Sequence, residues 1–221
     1  MCGRFTQQHP EVTWRRIHEQ LSRFLRQPRY NVAPGQDVAL LRAGPDGTLA
    51  ELARWGFRPR WLADAGKAQI NARSETAAEK PMFRDAWKRE RCAVPADGWY
   101  EWRARASGKQ PYYLRRADEA PFLIAGLRTV WSDADGEHAT FALLTRAADA
   151  SVAMVHDRMP VLLGAEAYAA WLDPAATAPA LADLVAAPPP ALKFAAVSTR
   201  VNSPRHDDAA CIEALEPAPE D

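Results

Sequence analysis

The pattern of apolar and polar positions predicts that short strands dominate the middle of the chain. Residues 38–42 and 49–57 are apolar runs joined by Gly44-Pro45-Asp46-Gly47, a sequence typical of a hairpin turn. Other apolar or aromatic runs follow at short spacing, separated by turns rich in Asp and Gly. These runs cover residues 92–95, 98–103, 111–115, 122–131, 140–145, 161–163 and 193–201.

Apolar residues that recur three or four positions apart predict helices around these strands. The first helix follows Pro10 and extends to Leu25, whereas the Pro-Gly pair within residues 29–35 predicts a loop. The remaining helical segments cover residues 74–77, 82–90, 165–172 and 179–185.

These elements predict an α+β fold with a mainly antiparallel, curved, barrel-like sheet flanked by helices. The βαβα alternation of a doubly wound sheet is absent. No repeat and no break in composition divides residues 1–221, so we expect a single domain. Its acidic, proline-containing tail is expected to fray from about residue 216.

Composition excludes several classes of protein. Hydrophobic residues make up 48% and charged residues 25% of the 221 residues, as in ordinary soluble globular proteins. The chain lacks both an apolar run of membrane-spanning length and a secretory signal, so we expect no membrane association and a cytoplasmic location. Lys and Arg (28) balance Asp and Glu (28), so any binding of nucleic acid must depend on a local basic cluster.

The three cysteines are Cys2, Cys92 and Cys211, an odd number without CxxC spacing. They fit neither a disulfide framework nor a zinc site. The five histidines also lack the HExxH spacing of a metal site. We therefore expect neither a metal ion nor a cofactor.

Cys2 gains a distinctive chemistry if Met1 is removed, because an amine and a thiol then sit on adjacent carbons. An α-amine has a pKa near ~7.7–8, against ~10.4 for lysine, so much more of it is an unprotonated nucleophile at neutral pH. The amine can condense with an aldehyde to an imine, and the thiol can then close a thiazolidine ring. The alternative is that a cysteine near the terminus has no function.

Further polar candidates each have a structural alternative. Glu101 lies among aromatic residues on a predicted strand, and it either faces solvent or points inward, where burial would make it a general acid or base. His156 belongs either to a surface turn or to a proton shuttle, and Asn71 could be a helix cap. Trp61 and Met82 are of types that usually belong to the core.

Five sequence blocks occur in an order that resembles the SRAP family, the SOS response-associated peptidases or abasic-site-processing proteins. The resemblance extends from residue 2 to about residue 215, and residues 197–202 look similar too. The blocks are residues 1–5, 29–35, 71–76, 96–102 and 156–160.

The resemblance implies an enzyme of the DNA-damage (SOS) response that crosslinks itself to abasic sites in single-stranded DNA. Cys2 would attack the ring-opened sugar and form a stable thiazolidine that shields the lesion. By position, Asn71 would orient the Cys2 region, Glu101 would move protons at the amine and assist ring opening and crosslink reversal, and His156 would act at the opened sugar hydroxyl. Lyase activity and peptidase activity, at least on the Met1–Cys2 bond, are also implied.

The resemblance further implies a surface for DNA, with Arg4 and Arg73 as phosphate contacts and Thr145 as a hydroxyl donor. Pro34 and Trp61 would form an apolar platform against the bases that flank the lesion. Leu62 departs from relatives that carry a second aromatic residue there, which reduces the expected platform. The implied partner is single-stranded DNA with abasic sites, bound by a monomer that associates with the nucleoid.

Two other functions remain open at this point. A cysteine peptidase would need only the Cys2 thiol, so it would tolerate a retained Met1. A non-covalent binder of modified or single-stranded DNA would need neither the thiol nor the amine, and its affinity would fall with salt.

Overall fold

The computed structural model describes residues 2–62, 68–106, 108–133, 136–164 and 166–216. Within these ranges the chain forms thirteen strands. The strands are β1 (Phe5–Gln7), β2 (Arg29–Val32), β3 (Asp37–Gly44), β4 (Gly47–Trp55), β5 (Asn71–Arg73), β6 (Arg91–Ala96), β7 (Gly98–Arg105), β8 (Gly108–Arg116), β9 (Phe122–Asp133), β10 (Gly136–Ala147), β11 (Arg158–Pro160), β12 (Leu162–Leu163) and β13 (Leu192–Ala196).

The helices are short, and none in the described ranges is long and apolar enough to cross a membrane. The α-helices are α1 (Glu11–Ile17), α2 (Ser74–Ala77), α3 (Arg84–Arg89), α4 (Ala150–Ala153), α5 (Ala167–Leu172) and α6 (Ala178–Ala186). Three 3₁₀ helices lie at Glu19–Arg23, Thr199–Asn202 and Ala209–Cys211.

Five strands close into a barrel. β3 pairs with β4 and β6, β6 pairs with β9, and β9 pairs with β10, all antiparallel. A short parallel pairing of β10 with β4 closes the ring, and closure leaves the barrel without an open edge. Gly126 on β9 permits close approach of its neighbours, because a Cβ there would lie 2.9 Å from the Cys92 Sγ and 3.0 Å from the Ala142 carbonyl oxygen.

A second, antiparallel sheet packs beside the barrel in the order β13-β8-β7-β1-β2. Although β1 has only three residues, it is an inner strand of this sheet, because Phe5 pairs with Val32 of β2 on one side and Trp99 of β7 on the other. On the barrel side, β5 runs parallel to β10, with Asn71 opposite Leu143. The chain immediately before β1 therefore lies where the two sheets meet.

Side-chain alternation along the barrel strands divides their apolar side chains between two hydrophobic clusters. On β3, Ala39 and Leu41 join a cluster that includes Trp14 and Trp171 from α1 and α5. Val38 and Leu40, which alternate with them along β3, join a second cluster with side chains from the other sheet. The α+β fold with a mainly antiparallel, barrel-like sheet and flanking helices is thus confirmed.

Some predicted elements were wrong in detail. The first helix ends at Ile17, and a 3₁₀ turn follows it, so Phe24 is exposed instead of packed in the core. The predicted loop at residues 29–35 begins with strand β2. The predicted strand at residues 193–201 ends at Ala196, because the Ser198 side chain accepts the Arg200 amide and starts a 3₁₀ helix. Ala165 and the predicted frayed tail from residue 217 onward lie outside the described residues.

Candidate active site

Cys2 is fully buried just before β1, in the same apolar cluster as Phe5 and Trp99. Its Sγ lies 3.9 Å from the Arg4 carbonyl oxygen. Burial raises the pKa of the Cys2 thiol well above its ordinary value, and the nearby Glu101 carboxylate raises it further. The resting form of this sulfur is therefore the thiol.

Asn71 holds the backbone of Cys2, because its Nδ2 donates a hydrogen bond of 2.8 Å to the Cys2 carbonyl oxygen. The parallel pairing of β5 with β10 fixes the position of Asn71. The residue that precedes α2 is Arg73, so Asn71 does not cap that helix. Asn71 instead links the barrel to the N-terminal segment.

Glu101 points inward from β7 and is fully buried, so the solvent-facing alternative is wrong. Alternation along the strand places it on the same face as Trp99, whose side chain lies in the cluster with Cys2. Burial raises the pKa of Glu101 to about 7. Both protonation states of this carboxyl are therefore populated near neutral pH.

His156 follows α4 and turns its imidazole toward Glu101, with 3.9 Å between its Nε2 and the Glu101 Oε2. Its Nδ1 accepts the backbone amide of Arg158 at 3.0 Å. The Asp157 carboxylate lies 2.8 Å from the same Nδ1 but is largely exposed, and a nitrogen that accepts the fixed amide cannot also donate. Burial lowers the pKa of His156, so we assign the single proton of its neutral ring to Nε2.

Glu101 and His156 open onto a cavity of about 430 Å³. Trp102, Lys109 and Asn202 complete its lining, and the Trp102 Nε1 donates to the Asn202 Oδ1 at 2.8 Å. Sequence reasoning missed these three as site residues. Lys109 lies opposite Ala104 in the β7–β8 pairing, so alternation places it on the Trp102 face, opposite to that of Glu101, and the strand pattern gave no signal for it.

Arg4, predicted to contact phosphate, is already bound within the protein. Its Nη1 donates to the Asn31 Oδ1 at 2.8 Å and to the Val201 carbonyl oxygen at 2.6 Å, and its Nη2 donates to the Asn202 carbonyl oxygen at 3.1 Å. Burial lowers the pKa of its guanidinium. Arg73, by contrast, is exposed.

Thr145, predicted to donate its hydroxyl to DNA, is fully buried in the structure. Its Oγ1 lies 3.5 Å from the Ala72 carbonyl oxygen and 3.3 Å from the Arg158 Nη2. Arg158 also pairs with Glu75 at 2.6 Å. In this structure the Thr145 hydroxyl therefore joins β10 to β5 instead of facing the surface, and its contact with a DNA phosphate stays a prediction.

Pro34 and Trp61 do not line a common cavity. Pro34 borders a cavity of about 650 Å³ that also includes Trp131 and Arg58, whose guanidinium carbon lies 4.7 Å from the centre of the Trp131 ring. Trp61 is 61% exposed and borders a separate depression of about 340 Å³ next to Met82, so it is not a core residue. Residues 63–67, which follow Leu62, lie outside the described ranges.

Cys2, Cys92 and Cys211 are all buried free thiols. Across the described part of the chain, no group of three His, Cys, Asp or Glu side chains could hold a metal ion.

Comparison with known proteins identifies relatives along most of the chain. A family model described as SOS response associated peptidase (SRAP) matches residues 1–204. The chain is 38% identical to the abasic site processing protein YoaM of Bacillus subtilis over 195 residues, which cover 85% of this chain and 86% of YoaM. It is 36% identical to the abasic site processing protein YedK of Escherichia coli over 178 residues, which cover 78% of this chain and 79% of YedK.

A solved structure shares the fold. The X-ray structure of a protein from Bacteroides thetaiotaomicron matches with a TM-score of 0.82 at 25% identity, covering 97% of this chain and all of that one. The family model covers most of the sequence, and YoaM exceeds 30% identity over most of both chains. On this basis the chain belongs to the SOS response associated peptidase (SRAP) family.

Proposed function

We propose that this protein processes abasic sites in single-stranded DNA by forming a covalent thiazolidine crosslink through Cys2, after Met1 has been removed. Met1 lies outside the described residues, so its removal is part of the proposal. The observation that carries the proposal is that Asn71 and Glu101, from separate parts of the chain, both interact with Cys2, while His156, from a third part, lies next to Glu101. The names of YoaM and YedK, both abasic site processing proteins, support it.

The reaction starts from the opened abasic sugar, which carries an aldehyde at C1′. The Cys2 amine adds to this carbon and forms a C–N bond, and the carbonyl oxygen leaves as water to give an imine. The thiol then adds across the C=N bond, so that sulfur bonds to the carbon and its proton passes to the nitrogen. The net change is the loss of one water, and no oxidant or reductant is consumed.

Each step moves a proton, and two side chains beside Cys2 are suited to this task. Glu101, with a pKa raised to about 7 by burial, accepts a proton from the attacking amine and returns one in the reverse direction. The neutral ring of His156 directs its Nε2 proton toward Glu101, and it donates this proton to the oxygen of the opened sugar. Asn71 keeps the Cys2 backbone in place while these bonds form.

The DNA path is proposed to follow the exposed residues near the site. Arg73 lies two residues after Asn71 and is exposed, so it contacts a phosphate without rearrangement. Exposed Trp61 and Pro34 offer apolar faces to separate bases on the strand. Arg4 supports the site from within, since its Nη atoms already bind protein oxygens.

The state of the Cys2 thiol favours this reaction over a cysteine peptidase acting on other proteins. Such a peptidase attacks with a thiolate whose pKa is lowered by a neighbouring cation. Burial and the Glu101 carboxylate instead raise the pKa of the Cys2 thiol. A thiol that is protonated at rest suits a reaction in which the amine attacks first.

The test mixes the purified protein with a single-stranded oligonucleotide that carries one abasic site, and resolves the products on a denaturing gel. We expect a stable adduct from the wild type and none from Cys2→Ala. Cys2→Ala and Cys2→Ser both keep the amine but lack the thiol, so either could form only a reversible imine, which persists only after borohydride reduction. Intact mass should show that the reactive protein lacks Met1.

Cys211→Ser is the matched control, because Cys211 is also a buried free thiol. This variant should react like the wild type. A stable adduct formed by Cys2→Ala, or by wild-type protein that retains Met1, would overturn the proposed chemistry.

A further inference from the structure

The cavity that Glu101 and His156 line has one strongly cationic side chain among its described lining residues. Of the five described residues that line it, Lys109 is the only lysine or arginine, and Trp102 and Asn202 are uncharged. The cavity volume of about 430 Å³ is large enough to admit a sugar with part of its backbone. None of the motif blocks that indicated the family includes Lys109.

The fold gives Lys109 a defined position at the rim of this cavity. It lies near the start of β8, opposite Ala104 of β7, and strand alternation places it on the same face as Trp102. Its side chain is exposed, so its ammonium is open to a ligand that enters from solvent. Its charge reaches the catalytic groups, because it adds to the effect of burial in lowering the pKa of His156.

We propose that the Lys109 ammonium binds a phosphate that flanks the abasic sugar and so holds the sugar in the cavity. This assignment rests on the proposed function. An abasic nucleotide has no base to stack or to hydrogen-bond, but it keeps a phosphate on each side. An ammonium acts as a compact point charge, and it can therefore hold a phosphate without the fixed geometry that a guanidinium requires.

One other cation close to this cavity, that of Arg4, is already bound within the protein. The Arg4 guanidinium donates to the Asn31 side chain and to the carbonyls of Val201 and Asn202. Among the described residues that line the cavity, Lys109 therefore supplies the accessible positive charge.

The test compares the wild type with Lys109→Gln and Lys109→Arg in the crosslinking assay, across DNA and salt concentrations. Lys109→Gln should raise the DNA concentration for half-maximal rate about tenfold, the effect of losing one charge-assisted contact. It should also flatten the salt dependence by about 0.7 in log–log slope, the value for one phosphate of a single strand. Lys109→Arg should keep the wild-type slope.

Lys193→Gln is the matched control, because it makes the same change of charge at a lysine that is bound to Glu119 at 2.7 Å. It should behave like the wild type. Oligonucleotides with one uncharged methylphosphonate, placed 5′ or 3′ of the abasic site, identify the phosphate. At one of the two positions, the methylphosphonate should raise the DNA concentration for half-maximal rate about tenfold for the wild type and leave that of Lys109→Gln unchanged.

Two results would overturn the assignment. In the first, Lys109→Gln has the same DNA concentration for half-maximal rate and the same salt slope as the wild type. In the second, the effect of Lys109→Gln on that concentration multiplies with the effect of the methylphosphonate at both positions, 5′ and 3′. Either would leave the proposed function standing if the wild type forms its adduct. Failure of the wild type to form any adduct would refute the proposed function and this assignment with it.

Discussion

Replacement of Glu101 by glutamine should make the protein more stable at neutral pH and less active. The folded state holds the Glu101 proton more tightly than the unfolded state, because burial raises the pKa from an ordinary value of 4.5 to about 7. Folding is then favoured by protons, so this residue costs no stability below about pH 4.5. The cost in stability grows as the pH rises from about 4.5 to about 7 and is complete above pH 7.

The size of the effect follows from the shift. One pKa unit corresponds to about 1.4 kcal/mol, so a shift from 4.5 to about 7 makes Glu101 cost roughly 3 kcal/mol of unfolding free energy above pH 7. Glutamine cannot ionise and avoids this cost. The free energy of unfolding of Glu101→Gln, relative to wild type, should therefore increase by about 3 kcal/mol between pH 4 and pH 8. For a domain of this size, that equals a relative rise in melting temperature of roughly 6–12 °C.

The assay is urea unfolding at pH 4, 6 and 8 for wild type, Glu101→Gln and the exposed control Glu79→Gln, with crosslinking rates measured in parallel. Glu79→Gln should track the wild type at every pH. Glu101→Gln should crosslink more slowly, by about 10²-fold, because the amide cannot relay a proton. A stability difference between Glu101→Gln and wild type that stays constant from pH 4 to pH 8 would refute the reasoning.

Three other substitutions test the remaining parts of the site and the fold. Asn71→Ala removes a hydrogen bond to the N-terminal backbone and should cost about 1 kcal/mol in urea unfolding and about tenfold in crosslinking rate; an unchanged rate would remove Asn71 from the site. His156→Gln should slow crosslinking by about 10²-fold with no fall in melting temperature, and wild-type kinetics would contradict its role. Gly98→Ala should lower unfolding free energy by about 1–3 kcal/mol because its Cβ would overlap the buried Tyr113 ring, whereas Gly164→Ala, in open space, should not.

Local sequence signals predicted the strands that are bounded by turn-forming residues such as Gly, Pro and Asp. The Gly44-Pro45-Asp46-Gly47 sequence predicted the β3–β4 hairpin, and both strands formed as expected. The aromatic run that begins at Gly98 likewise predicted β7, which extends to Arg105. These signals act between neighbours in sequence, so a reading of the sequence alone can detect them.

Pairings between distant segments could not be read from local patterns. The barrel closes where Thr140 and Phe141 meet Arg54 and Trp55, and neither segment carries a signal for the other. The buried position of Thr145 depends on the same strand, because β10 turns this residue toward β5. With only three residues, β5 is also too short to show a strand period.

The candidate site illustrates the same limit. The position of Glu101 among aromatic residues made it a candidate, but alternation along its strand left both directions of its side chain open. The inward direction follows from tertiary packing, which places Trp99 and Glu101 on the face that covers Cys2. Burial, and with it the raised pKa of Glu101, becomes visible only once β7 and β1 are adjacent.

The inner position of β1 has a consequence for the order of events during synthesis. Phe5 leaves the ribosome early, yet its partner Trp99 on β7 must be made before β1 has neighbours on both sides. At about 5–20 residues per second, that delay lasts roughly 5–20 s. Cys2, which is fully buried in the folded protein, cannot reach that buried position before this interval ends. Enzymes that act on the thiol, or on the peptide bond before it, therefore have the freest access while the polypeptide is still being translated.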